Sequence, residues 1–217
     1  MHMKTLNFPT QFGRDTLEPF FNLLENNLDE PEICVNCSTL NYSYPSGMLI
    51  AGSKLRSWIK YRREKGLITK KEGHDSPKNV HRYLRHLGFY HFIDMGEGNE
   101  VGEARGSMTY IPITRIEKPA FDSKTQPLDG WYDEIRTQTR RLANLLSGTI
   151  EYTEENRLYH YALREIVRNV FEHSLSDECY LCGQRWPDGR VEVAVIDEGI
   201  GVFKSLKRSF TIDSESQ

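Results

Sequence analysis

The sequence predicts an α/β (α+β) protein built from two modules, and three observations predict it. Residues 1–115 alternate strand-like and helix-like apolar patterns, which is typical of a small sheet covered by helices. Residues 116–130 contain prolines, a glycine and many charges in place of hydrophobic periodicity, which indicates a linker. Residues 131–217 contain two amphipathic helical patterns and a hairpin pattern, which favours a mixed, mainly antiparallel sheet under a layer of helices.

Composition and charge are those of an ordinary globular chain. The 217 residues are 38% hydrophobic and carry a formal net charge of −3. No run of about eighteen apolar residues occurs, as a membrane-spanning helix would need, and residues 1–15 lack the apolar core of a signal peptide. We therefore expect a cytoplasmic protein that does not span a membrane.

The N-terminal module is expected to begin with a helix over residues 14–30, where apolar positions recur at helical spacing. The segment EICVNCSTL, residues 32–40, predicts a buried strand. A polar, aromatic loop follows, and residues 48–65 form a second helical pattern that Gly66 would end. The segment VHRYLRHLGFYHFIDMG adds a further hydrophobic element.

The C-terminal module begins with an amphipathic helix from Trp131 that Gly148 would close. A second, longer helix follows, with Thr153 in position to cap its first turn. The segments CYLCGQRW and RVEVAVID then predict two strands joined at a Pro-Asp-Gly turn.

The second helix of this module carries a polar face beside its apolar stripe. Glu165, Asn169 and His173 lie four residues apart, so they share one face of the helix. The apolar stripe consists of Leu163, Ile166, Val167, Val170 and Phe171. Such a polar face serves a cleft or a partner, and the alternative is an ordinary solvated surface. His160, on the same helix, is expected to be structural.

The strand VEVAVID ends in an acidic residue followed by two glycines, Asp197, Gly199 and Gly201. Glycines two apart after a strand allow positive φ and let a flat or anionic ligand approach the backbone. On its own, D-x-G-x-G is also typical of a plain turn in which Asp197 bonds the backbone that follows it.

Together, a helix with E-x-x-x-N and a D-x-G-x-G turn twenty-eight residues after Asn169 resemble the N box and first glycine box of the GHKL ATPases. This superfamily, which uses the Bergerat nucleotide fold, includes gyrase B subunits, MutL proteins, sensor histidine kinases and anti-sigma-factor kinases. The resemblance implies that Asn169 helps to hold Mg²⁺ against the ATP phosphates and that Asp197 accepts a hydrogen bond from the adenine amino group. It also implies that Gly199 and Gly201 let the chain pass the nucleotide, and that Glu165 orients or deprotonates the attacking water.

The resemblance covers only part of the family's site. GHKL proteins have a second glycine-rich box after a mobile lid, and no G-x-G-x-G follows Phe203 in these 217 residues. The module, residues 131–217, is therefore expected to stop at the lid, so that a further segment or another chain would complete the site. The N-terminal module, residues 1–115, resembles STAS-like domains, the fold of anti-sigma-factor antagonists, in its strand, polar loop and helix and in the stretch YLRHLGFYHF.

Four cysteines form two C-x-x-C pairs, Cys34 with Cys37 and Cys179 with Cys182. Both pairs lie in extended segments, where residues three apart point to opposite faces of a strand. Zinc binding needs a tight knuckle instead, and the separation of the two pairs does not match common zinc spacings. We expect the cysteines to be reduced and free of metal.

The resemblance to GHKL proteins thus implies an ATP-binding regulatory protein with Mg²⁺ as cofactor. It would be an ATPase or a serine- or histidine-kinase-like protein whose nucleotide state controls the binding of a protein partner, and self-association is left open. The alternative is a non-catalytic adaptor with an incomplete nucleotide site. Its binding surface would be residues 54–85, which contain eleven lysines and arginines but only three acidic residues. This excess of positive charge could attract nucleic acid or an acidic partner. A solvated helix and loop is the favoured interpretation of this basic stretch.

Overall fold

The computed structural model describes residues 3–119 and 129–201, and within them the chain has a mixed α/β architecture, as the sequence predicts. The helices there are α1 (Arg14–Glu25), α2 (Pro45–Glu64), α3 (Asn79–His86), α4 (Phe89–Phe92), α5 (Asp129–Ser147) and α6 (Glu154–His173). The strands are β1 (Lys4–Asn7), β2 (Gln11–Phe12), β3 (Glu32–Asn36), β4 (Tyr42–Ser43), β5 (Ile68–Glu72), β6 (Tyr110–Glu117), β7 (Glu178–Arg185) and β8 (Val191–Asp197).

The N-terminal elements form a parallel three-stranded sheet in the order β1-β3-β5, with β2 and β4 as a separate parallel pair. Helix α2 follows β4 and begins at Pro45, whose fixed φ suits a first helical turn. Gly66 follows the C-cap of α2 with a φ of 71°, so the predicted helix end is confirmed.

One helix and one strand are shorter in the structure than predicted, and asparagine residues explain both differences. The predicted helix 14–30 ends at Glu25, because Asn26 forms the C-cap and the Asn27 side chain donates a 2.6 Å hydrogen bond to the Leu23 carbonyl oxygen. The predicted strand 32–40 ends at Asn36, whose Oδ1 accepts a 2.9 Å hydrogen bond from the Ser38 backbone N–H. In both places a short polar side chain bonds nearby backbone and ends the regular element.

The C-terminal helices form as predicted. Thr153 caps α6 by accepting a 3.2 Å hydrogen bond from the Asn156 backbone N–H, and Gly148 closes α5 with a φ of 71°. Strands β7 and β8 pair antiparallel, and Gly189 in the turn between them has a φ of 86°.

The second sheet has the order β6-β7-β8, is antiparallel, and takes its first strand from before the predicted linker. Strand β6 spans residues 110–117, so its end lies within residues 116–130, and Ile116 is 1% exposed. Residues 120–128 of that linker lie outside the described residues. The division into two modules stays a prediction. The sequence predicts a mixed sheet for residues 131–217, but the sheet of β6, β7 and β8 is wholly antiparallel, and the pairs among β1 to β5 are parallel.

Both faces of this second sheet are covered, because alternate residues of β7 enter two different cores. Cys179 and Leu181 pack with α5 and α6 in what we call the second core. Tyr180 and Cys182 pack with the N-terminal helices and strands in what we call the first core. The antiparallel sheet is therefore a shared layer between the N-terminal half and the helix pair α5 and α6.

Candidate functional site

Helix α6 turns its apolar stripe into the second core and leaves the predicted polar face outside it. Four residues of the stripe are buried, namely Leu163, Val167, Val170 and Phe171. Ile166 is the exception, since its side chain is 49% exposed. The stripe is thus narrower than predicted.

Glu165 is half-buried and engaged by two arginines of its own helix. Its Oε1 accepts a 3.2 Å hydrogen bond from Arg168 and lies 3.6 Å from Nη2 of Arg164. Arg168 also donates to Glu172 at 2.8 Å, and this hydrogen bond to Glu172 and the charge of Glu165 raise the pKa of Arg168. A base at Glu165 would therefore have to act from within this cluster of charges.

Asn169 lies one turn further along α6 and is exposed. Its carboxamide makes no hydrogen bond to any residue of the described ranges 3–119 and 129–201. A carboxamide oxygen is a hard ligand of the kind that Mg²⁺ accepts, and Mg²⁺ keeps waters and phosphate oxygens as its other ligands. Asn169 therefore fits the role that the resemblance implies for it.

Asp197 is the last residue of β8 and is half-buried. It pairs with Cys179 in the sheet and lies two residues after Val195, so its side chain shares the α6 side of the sheet with Val195. Its Oδ1 accepts a 2.9 Å hydrogen bond from the Gly199 backbone N–H, which is the geometry of a turn in which an aspartate bonds the backbone two residues on. Its Oδ2 has no hydrogen-bond partner among the described residues, so one carboxylate oxygen remains available to a ligand.

The glycine turn is docked directly on the end of α6. The Ile200 backbone N–H donates a 2.7 Å hydrogen bond to the carbonyl oxygen of Ser174, the C-cap residue of α6. A Cβ at Gly199 would lie 2.2 Å from that same oxygen, which no side chain could tolerate. Gly201 has a φ of 73° and nothing close to its missing Cβ, so its requirement is conformational. The glycine turn therefore contacts the C-terminal end of α6 at Ser174, five residues after Asn169.

Glu198, inside the glycine motif, contacts the N-terminal half of the chain. Its Oε1 accepts a 2.9 Å hydrogen bond from Ser53, and its Oε2 accepts a 3.0 Å bond from Arg56, both on α2. Arg56 also donates to Glu178 at 2.7 Å and to the hydroxyl of Tyr180. Sequence reasoning missed this contact, because nothing local to α2 or to the motif distinguishes these residues from solvated surface groups.

The basic stretch 54–85 is largely occupied by intramolecular contacts. Arg62 is fully buried and donates to the backbone oxygens of Leu28, Glu30 and Ile68 at 2.9, 2.8 and 2.7 Å. Lys54 pairs with Glu25 at 2.6 Å, and Arg63 pairs with Asp94 at 2.8 Å. The charge excess seen in the sequence is therefore not one continuous basic surface.

The four cysteines are free thiols and all are buried. Cys179 and Cys182 lie on opposite faces of β7, in the second and first core respectively, as the strand geometry predicts. Burial raises the pKa of the Cys179 thiol to about 12, with a smaller contribution from the charge of Asp197. His160 is buried, and its Nε2 lies 3.3 Å from the Arg136 carbonyl oxygen, which agrees with a structural role.

The chain matches no family model, no curated protein and no solved structure. Residues 3–119 and 129–201 contain no helix that is long and apolar enough to cross a membrane. The same residues contain no group of three or more histidine, cysteine, aspartate or glutamate side chains that could hold a metal ion. A magnesium ion bound by one carboxamide and by phosphates would need no such group.

Proposed function

We propose that the chain is an ATP-binding regulatory protein of the GHKL type that binds ATP with Mg²⁺ beside the polar face of α6 and the glycine turn that contacts the end of this helix. One observation carries the proposal, namely that the Gly199 backbone lies against Ser174 with no space for a side chain. This contact brings the D-x-G-x-G turn to the end of the helix that bears E-x-x-x-N. A plain surface turn would have no need for so close an approach.

Each site residue has a role in this proposal that its surroundings permit. The free Oδ2 of Asp197 would accept a hydrogen bond from the adenine amino group, and a buried donor and acceptor match of this kind discriminates strongly between ligands. Asn169 would supply one oxygen ligand to Mg²⁺, which neutralises phosphate charge when it is bound. Glu165 would orient or deprotonate the attacking water if the protein is an ATPase.

The regulatory part of the proposal follows the contacts of Glu198. This residue lies between Asp197 and Gly199, and its carboxylate is held by Ser53 and Arg56 of α2. Any rearrangement of the glycine turn on nucleotide binding would therefore act on α2 and on the N-terminal half, which resembles a STAS-like domain. We infer that nucleotide state alters how this half meets a protein partner.

Calorimetry with ATP and Mg²⁺ tests the nucleotide site. Asp197→Asn should weaken binding by about 1 to 3 kcal/mol, because the carboxamide keeps an acceptor but loses the charge. Asp188→Asn is the matched control, since Asp188 is exposed in the β7–β8 turn and pairs with Arg190 at 2.7 Å. Equal ATP affinity in the wild type and Asp197→Asn, or no ATP binding by the wild type, would overturn the proposal.

A further inference from the structure

A cavity of about 260 Å³ lies where β4, the first turn of α3 and the end of β7 meet. Three aromatic rings and three carboxamides line it, from Tyr42, Tyr83, Trp186, Asn41, Asn79 and Gln184. Its volume is near the lower end of small-molecule sites, so it suits one planar group with its substituent. None of these residues belongs to the proposed ATP site.

The rings of Tyr42 and Trp186 are only partly covered by the protein. Arg190 lies over the Trp186 ring with its guanidinium carbon 5.5 Å from the ring centroid, so a base would stack on the other face of that ring. Tyr42 is 37% exposed although it lines the cavity, and Trp186 is half-buried. Tyr44 supports both, with ring centroids 4.8 Å from Tyr42 and 6.2 Å from Trp186. Partly exposed tyrosine and tryptophan rings beside a cavity are the surfaces on which nucleobases stack.

The side-chain amides of Asn41 and Asn79 have free N–H donors, and their oxygen atoms are held by hydrogen bonds from neighbouring side chains. Oδ1 of Asn41 accepts a 2.8 Å hydrogen bond from Lys78, and Oδ1 of Asn79 accepts one from Arg82. Because Lys78 and Arg82 can only donate, the amide oxygens must face them, and the orientation of each amide is fixed by this chemistry. Both Nδ2 groups are left without a hydrogen-bond partner in the described residues. They can donate to the ring nitrogens, carbonyl oxygens or phosphate oxygens of a nucleotide.

Lys78 and Arg82 supply positive charge at the rim. Neither lies within ion-pair distance of a carboxylate in the described residues, in contrast to Lys54 and Arg63 of the same basic stretch. On the opposite side, Glu192 pairs with Gln184 across the sheet, and its Oε1 accepts a 2.8 Å hydrogen bond from the Ser46 backbone N–H. Arg190 beside Trp186 is already paired with Asp188 at 2.7 Å, whereas Lys78 and Arg82 are not paired with a carboxylate of the described residues. This charge distribution would turn an anionic group toward α3 and a neutral ring toward Trp186.

We propose that this cavity binds a nucleobase together with its phosphate, as one unit of a single-stranded nucleic acid or as a free nucleotide. The base stacks on Tyr42 and Trp186, the Asn41 and Asn79 amides donate to it, and Lys78 and Arg82 neutralise the phosphate. The site is independent of ATP binding at Asp197.

Fluorescence anisotropy with labelled single-stranded DNA and RNA 12-mers, without Mg²⁺ or ATP, tests the proposal, and competition by AMP and UMP separates the two sources. If AMP or UMP displaces the labelled 12-mer at a concentration close to the nucleotide concentration at which unlabelled oligonucleotide displaces it, the ligand is a free nucleotide. Competition only by oligonucleotides identifies a strand. No binding of any of these probes below about 1 mM would overturn the proposal, because a stacked base with a phosphate contact should bind more tightly than that.

Matched variants separate the cavity from general charge attraction. We expect Arg82→Gln to weaken oligonucleotide binding at least about fivefold. Lys65→Gln removes one positive charge from an exposed site away from the cavity, and it should weaken binding less than about twofold. Trp186→Leu should weaken it about tenfold, while Tyr132→Leu, at a 50% exposed tyrosine of α5, should not. Asp197→Asn should leave oligonucleotide binding unchanged, and Trp186→Leu should leave Mg-ATP binding unchanged. Equal effects of Arg82→Gln and Lys65→Gln would show that the cavity is not the site.

Discussion

Arg56 of α2 donates to Glu198 of the glycine motif at 3.0 Å and to Glu178 of β7 at 2.7 Å. One guanidinium therefore joins the N-terminal half to the start of β7 and to the residue after β8, which lie at the same end of the antiparallel pair. Its charge also lies over the rings of Phe92 and Tyr180, with centroid distances of 5.3 and 4.8 Å. The planar fork of arginine suits such a bridge, because it can bond two carboxylates at once.

This bridge should contribute measurably to stability. Arg56→Met keeps an apolar stem against Phe92 and Tyr180 but removes the charge, and we expect a loss of about 1 to 3 kcal/mol in the free energy of unfolding. The side chains of Arg56 and Glu178 are only 23% and 24% exposed, so solvent screens their attraction weakly. Urea unfolding followed by circular dichroism measures the change.

Arg63→Met is the matched control for this prediction. Arg63 lies on the same helix and pairs with Asp94 at 2.8 Å, but its side chain is 64% exposed. Exposed pairs contribute about 0 to 1 kcal/mol, so the loss should be smaller than for Arg56→Met. If the two variants were equally stable, the bridge would have no special energetic role.

The same bridge predicts how stability depends on pH through Glu178. Burial opposes ionisation of this carboxyl, but Arg56 and Arg115 outweigh it and hold the pKa of Glu178 below its usual range. Because the unfolded chain takes up the proton first, this stabilisation is present above the usual glutamate pKa of about 4.3. It is lost as the pH falls through the lowered pKa of the folded state.

Glu178→Gln isolates this effect, because glutamine resembles the protonated acid. The wild type should be more stable than Glu178→Gln at pH 6 to 7, and the difference should shrink as the pH falls through about 4. Urea unfolding of both proteins across this range measures it. A difference that stayed constant down to about pH 3 would contradict a lowered pKa.

The cysteines are expected to be unreactive while the protein is folded. Burial raises the pKa of Cys37 to about 12, so almost no reactive thiolate exists at pH 8. A thiol reagent should therefore label the native chain slowly and all four cysteines promptly in urea. The chain should also contain no zinc, and about one tightly bound zinc per chain by elemental analysis would contradict that prediction.

Local signals explain which parts of the fold could be predicted from the sequence. Thr153 and Gly148 are correct helix boundaries because a cap and a left-handed residue act within one turn of the chain. Asp197 and Gly199 belong to a motif whose members are two residues apart. Such local features can be predicted from the sequence without knowledge of any tertiary contact.

Tertiary contacts explain what could not be predicted. Strand β6 is recognisable only through its pairing with β7, since residues 110–117 contain a proline and run into the charged stretch RIEK. Arg62 has the sequence neighbourhood of a surface arginine, yet it is fully buried because distant backbone oxygens accept its hydrogen bonds. The same limit hid Glu198, whose partners on α2 are more than a hundred residues away.

Glu165 provides the test that separates nucleotide binding from turnover. If it acts on the attacking water, Glu165→Ala should leave Mg-ATP affinity within about twofold and lower the rate of phosphate release by about 100-fold or more. Glu172→Ala is the control, because Glu172 also binds Arg168, at 2.8 Å, but has no role toward the water. Calorimetry gives the affinity, and a phosphate-release assay gives the rate. Since both substitutions free Arg168 from one carboxylate, an equal loss of rate in the two variants would assign the effect to Arg168 and the charge cluster. A loss confined to Glu165→Ala, with ATP affinity kept, would identify this carboxylate as the group that acts on the water.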